Sequence, residues 1–131
     1  MSYITHIFKQ VEDNTNFRTV LFTGMNSQLV VMDIPKGGEV GEEVHNHVEQ
    51  TLFFMKGTAK AILDDKETDI VAGDVVVVTP GIRHNFINTG MESLKVFTVY
   101  APANHIDGRI HVTKADADAD IEDEAFGERV K

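Results

Sequence analysis

Hydrophobic and polar positions along this chain repeat with a short period. Runs of four to eight residues rich in Val, Ile, Phe and Thr are separated by Gly, Asp and Asn. Such runs read as strands, because β-branched and aromatic side chains fit a pleated, half-buried surface. The pattern predicts strands at 3–8, 17–23, 28–34, 42–47, 51–56, 59–63, 68–71, 75–79, 84–88 and 94–100. Turns are expected between them, at Gly24-Met25-Asn26, Pro35-Lys36-Gly37-Gly38, Lys56-Gly57, Asp64-Asp65, Ala72-Gly73-Asp74, Pro80-Gly81 and Asn88-Thr89-Gly90. Many short strands with no helical stretch among them favour an all-β sandwich or barrel.

Only the last segment breaks this pattern. From Thr113 the sequence alternates Ala and Asp and then continues Ile121-Glu122-Asp123-Glu124. Asp is a poor strand former and Thr113 is a good N-cap, so a short solvated helix or a frayed acidic tail is expected. The division is a β-barrel domain over 1–112 and an acidic tail over 113–131. The acids lack the glycine and the spacing of an EF-hand loop, so a calcium site is not read there.

Composition narrows the classes. The 131 residues suit one domain, and the 42% hydrophobic fraction is ordinary for a globular chain. No apolar run is long enough to span a membrane, and the start lacks the features of a signal peptide. Cysteine is absent, which removes disulfides and thiolate ligands and fits a cytoplasmic location. The net charge of −9 argues against nucleic acid or an anionic membrane as partner. No helix-turn-helix segment or basic patch points to a regulatory DNA-binding barrel.

The candidate chemistry lies in the histidines. In Glu43-Val44-His45-Asn46-His47, period two on a strand would put Glu43, His45 and His47 on one face. Gln50 would share a face with Leu52 and Phe54 and offers a carbonyl ligand. The tight turn Thr79-Pro80-Gly81 delivers His84 at a strand start, with Phe86 on the same face. Imidazoles converging inside a barrel suit a late transition metal. The expected ligands are therefore His45, His47, Gln50 and His84. Glu43 is the candidate catalytic acid or base, or a partner to the ligands. Phe53 or Phe54, Phe86 and Tyr100 would line a small-molecule pocket. His6, His105 and His111 read as structural.

These segments resemble the cupin superfamily. Gly38 through His45, His47 and Gln50 to Gly57 is similar to its first motif, with Gln50 at the position usually held by Glu. Gly73 through Thr79-Pro80-Gly81 and His84 to Asn88 is similar to its second, with the usual proline displaced by one residue. The resemblance implies a jelly-roll (double-stranded β-helix) barrel, a metal in its mouth and a homodimer. Three imidazoles and an amide would leave a bound divalent ion its full charge, so its water would be acidified and an anionic ligand welcomed. Fe, Mn, Ni, Co and Zn all suit such donors. The expected function is a metal-dependent enzyme acting on a small oxygenated or acidic metabolite, of dioxygenase, isomerase or lyase type. The alternative is a non-catalytic module that binds a metal or a small ligand.

Overall fold

The computed structural model describes residues 1–130; Lys131, the last residue of the expected tail, lies outside them. Two antiparallel sheets face each other. The larger runs in the order β6-β3-β8-β2-β1-β9 and the smaller in the order β5-β4-β7. The strands are β1 (Arg18–Thr23), β2 (Gln28–Ile34), β3 (Glu49–Lys56), β4 (Thr58–Leu63), β5 (Lys66–Val71), β6 (Val75–Val78), β7 (His84–Asn88), β8 (Leu94–Ala101) and β9 (Ile110–His111). β2 and β7 fall where the pattern predicts them, and most others differ by a residue or two at the ends.

Alternation along the strands builds the core. On β8 every second residue is buried: Leu94, Val96, Thr98 and Tyr100. Cross-strand register aligns these with inward residues of the neighbouring strands. Met32, Val96 and Phe54 form one such row, and Val30, Thr98 and Leu52 the next. The row at the end of the sheet is different. It contains Gln28, Tyr100 and Gln50, all buried. The inner face is therefore apolar at its centre and polar at one mouth. Across the sandwich, Phe86 of β7 meets Phe54 with ring centroids 5.4 Å apart. Buried aromatic pairs of this kind contribute beyond their area.

Three expectations are corrected. First, residues 3–8 are not a strand. A helix, α1 (Ile7–Asp13), occupies this region. Ile7, Phe8 and Val11 follow helical spacing, Lys9 pairs with Asp13 one turn on at 2.9 Å, and Val11 is buried. Lys95 Nζ donates to the carbonyls of Glu12 and Asn14, closing the C-terminal end of α1 onto β8.

Second, residues 42–47 do not form a strand. The segment pairs with the smaller sheet through one isolated bridge, Glu43 to His84, and Glu39 just before it bridges to Ile87. Third, the acidic segment takes the helical of its two expected forms, but as two helices anchored at the buried Asp123 and with most other residues exposed. It forms α2 (Lys114–Ala119) and α3 (Ile121–Val130). Thr113 caps α2 as its sequence suggests: Thr113 Oγ1 accepts from Asp116 N, and Asp116 Oδ2 accepts from Thr113 N. Asp123 of α3 is buried.

The Phe54–Phe86 contact joins the two sheets beneath the mouth. Phe54→Ala is expected to lower unfolding free energy by about 3–5 kcal/mol. Urea denaturation measures this as a lower midpoint with an unchanged slope.

Candidate functional site

The mouth is assembled by the backbone. Glu43 N donates to His84 O and His84 N to Glu43 O, both at 2.9 Å. A doubly bonded antiparallel pair places its two side chains side by side on one face. Two residues further on, His45 returns to that face, and its carbonyl accepts from Gly81 N at 2.7 Å. The φ of +89° at Gly81 belongs to the left-handed region that glycine tolerates. The Pro80-Gly81 turn thus fixes both His45 and the start of β7.

Glu43, His45 and His84 come together, with ligand atoms all within 4.8 Å of one another. His45 and His84 are each 2% exposed, whereas the Glu43 side chain is 32% exposed and opens to a cavity. The two histidine rings are 5.2 Å apart. His84 Nδ1 lies 2.9 Å from the Ile82 carbonyl, which can only accept, so the proton sits on Nδ1 and Nε2 carries the lone pair. Gln50 Nε2 donates to Thr98 Oγ1 at 3.1 Å, and Thr98 Oγ1 donates to Thr51 O, which fixes the orientation of the buried Gln50 amide.

His47 is not part of this group. It is exposed, in a bend that begins at Asn46. Period two fails here because the segment is not a continuous strand, and the chain turns before His47 can return to the inner face. The two-residue step of the motif is preserved but falls on Glu43 and His45. A carboxylate thus stands where the first histidine of the pattern is expected, and the donor set carries a negative charge instead of being neutral.

Electrostatics follow this arrangement. Burial pushes the Glu43 carboxyl up, but contact with His45 and the charges of His45 and Arg18 pull it down further, to about 2. Burial pushes the Tyr100 hydroxyl well up, so it remains a neutral phenol. His45 Nε2 lies 2.8 Å from Glu43 Oε2 in a contact outside hydrogen-bond geometry. Both ring nitrogens of His45 are buried without a hydrogen-bond partner in the protein. A buried imidazole with no partner is costly, and this atom set fits a metal ion with nitrogen and oxygen donors.

A cavity of about 620 Å³ adjoins Glu43 and runs beneath α2 and α3. The C-terminal segment forms its wall through histidines that sequence reasoning set aside. His105 Nδ1 donates to Asp123 Oδ2 at 2.8 Å, and Ile106 N donates to Asp123 Oδ1 at 2.7 Å. Arg18 Nη1 lies 3.2 Å from His111 Nδ1; a guanidinium only donates, so His111 accepts there and donates from Nε2 to Asp120 Oδ2 at 2.9 Å. His111, Asp120 and Asp123 also bring potential ligand atoms together. Here, however, both nitrogens of His111 are already paired, so the group works as a clamp between the helices and the barrel.

Comparison with known proteins is consistent with this geometry. Residues 30–100 match the family model described as the cupin domain. An uncharacterised Bacillus subtilis protein is 34% identical over 88% of this chain, which spans 65% of that relative's length. A Bacillus halodurans crystal structure superposes with a TM-score of 0.89 at 30% identity, covering 91% of this chain and 95% of that one. A predicted oxalate decarboxylase from Thermotoga maritima superposes with a TM-score of 0.62 at 23% identity, covering 66% and 79%. That last likeness concerns the fold alone.

The burial of His105 gives a pH dependence of stability. Burial and then the Arg18 charge hold the His105 imidazole at about 4, below its ordinary value, although Asp123 pulls it up. A histidine depressed in the fold binds its proton more readily when unfolded. Its contribution is therefore complete above about pH 6.5 and is lost as pH falls towards 4. His105→Gln is expected to flatten unfolding free energy against pH across that window, by about 1.4 kcal/mol per pH unit. Parallel curves for the two proteins would contradict it.

Proposed function

This chain belongs to the cupin family, and from that premise we propose that its barrel mouth holds one divalent transition metal on Glu43, His45, Gln50 and His84. The observation that carries the proposal is the convergence of Glu43, His45 and His84 ligand atoms within 4.8 Å of one another, with His45 Nδ1 buried and unpartnered and His45 Nε2 met by the Glu43 carboxylate at 2.8 Å. The nitrogen and oxygen donors suit Fe, Mn, Ni, Co or Zn and not the hard cations Mg or Ca.

The residues divide the work as follows. His84 is oriented by the Ile82 carbonyl, and Gln50 by Thr98. Glu43 supplies the one negative charge of the ligand set and bridges the metal position and the cavity. A bound divalent ion would supply Lewis acidity and an acidified water. The proposed activity is that of a metal-dependent enzyme on a small oxygenated or acidic metabolite. The cavity supports this, because Glu43 lines it. Tyr100, neutral and buried beside His45 with rings 6.4 Å apart, limits water at the inner wall. A module that only binds metal or ligand is the second reading.

Elemental analysis of protein purified without chelator tests the ligand set. His45→Ala and His84→Ala are expected to lose the metal, and Glu43→Gln to weaken it by at least about tenfold. His47→Ala is expected to retain it. Equal metal content in His45→Ala and wild type would overturn the proposal. For the enzyme reading, the metal-loaded protein is assayed for O₂ uptake and for sugar or keto-acid conversion. Activity lost in folded His84→Ala supports it, and activity unchanged by that substitution contradicts it.

A further inference from the structure

Among the described residues, five buried side-chain polar atoms have no hydrogen-bond partner. Two are the nitrogens of His45. The other three are Arg18 Nε, Asn104 Oδ1 and His105 Nε2, and all three residues line the cavity next to Glu43. Buried polar groups in folded proteins are nearly always paired, so three orphans around one cavity mark a place where something else supplies the partners.

These atoms are held firmly. Arg18, Asn104 and His105 are each at most 6% exposed. Gln28 Oε1 accepts from Asn104 N and His105 N, while Gln28 Nε2 donates to His105 O at 2.7 Å. Asp123 takes the His105 Nδ1 proton, which leaves Nε2 as an acceptor. Arg18 Nη1 reaches His111, and Arg18 Nε–H is a buried donor without a partner. The unpartnered atoms are therefore one charged donor and two neutral acceptors on a preorganised frame.

We infer that this cavity is a recognition subsite for a small hydroxycarboxylate, whose carboxylate accepts from Arg18 Nε–H and whose hydroxyl donates to His105 Nε2 or Asn104 Oδ1. The ligand must accept and donate from neighbouring atoms, which a plain carboxylate or a simple amine does not. Seven acids line the cavity, Glu39, Glu42, Glu43, Asp118, Asp123, Glu124 and Glu128, against the cations Arg18 and Lys114. Such a lining disfavours a dianion, and a single carboxylate is taken only where Arg18 pairs it directly. The inference deepens the proposed function and rests on it only in that Glu43 belongs to both cavity and metal position.

The test is an NMR titration of the full chain, following Arg18 Nε–H and the histidine ring nitrogens, with the protein freed of metal by chelator. The probes are glycolate and 3-hydroxypropionate, with acetate, oxalate and inorganic phosphate for comparison. At least one hydroxycarboxylate is expected to bind saturably, and about tenfold more tightly than acetate, oxalate or phosphate. Arg18→Gln should weaken it at least about tenfold. Arg18→Lys, which keeps the charge but removes Nε–H, should do so too, and serves if the glutamine variant does not fold. His105→Phe should erase the preference over acetate. The His84→Ala variant should bind the probe as wild type does, which separates this inference from the metal proposal. No saturable shift, indicating that water alone fills the cavity, would overturn it. So would binding that appears only in metal-loaded protein and is untouched at Arg18.

Discussion

The paired backbone hydrogen bonds between Glu43 and His84 are the constraint on which the site depends. They join a segment that has no regular strand structure to the first residue of β7. Without them, nothing in the local sequence of 39–48 would hold Glu43 beside a histidine forty residues away. With them, His45 follows two residues later, and its carbonyl is caught by the Pro80-Gly81 turn. The position of three potential ligands is thereby set by main-chain bonds, which are insensitive to side-chain rotamers.

The second organising feature is the polar row at the end of an otherwise apolar face. Gln28, Tyr100 and Gln50 align across β2, β8 and β3. Gln50 is held by Thr98 at this mouth, whereas Gln28 holds the loop that carries Asn104 and His105. One row of the sheet therefore serves both the ligand group and the adjoining cavity. The C-terminal helices complete the wall through Asp123 and Asp120. Their acids are partnered by buried histidines and by Arg109, whose Nη2 donates to Glu122 Oε1 at 2.6 Å. What composition suggests is a solubility tail is, in part, structural electrostatics.

Much of the fold was legible because period-two alternation survives wherever both faces of a strand have different surroundings. β2, β7 and β8 are such cases. Residues 3–8 misled because Tyr3, Ile4, Ile7 and Phe8 are apolar without marking a period, and the helix over 7–13 is decided by Val11 packing on the barrel. At the site, alternation permitted Glu43, His45 and His47 together. The choice between the two possible pairs lay in where the chain bends, and this is fixed by bonds to His84 and Gly81 that are distant in sequence. Likewise, His105 and Arg18 carried no motif. Their meaning comes from a cavity formed by β1, the 39–44 segment, the loop with Asn104 and His105 and two helices, a long-range arrangement that local pattern does not encode.

The central claim is that the metal position belongs to Glu43 and His45 and not to His45 and His47. The most direct measurement is a crystal structure of the cobalt-loaded protein with anomalous data at the cobalt edge. The account predicts one strong anomalous peak within bonding distance, about 2.0–2.3 Å, of Glu43, His45, Gln50 and His84, with His47 in solvent. A peak bonded to His47 in place of Glu43, or one seated among His111, Asp120 and Asp123, would contradict it.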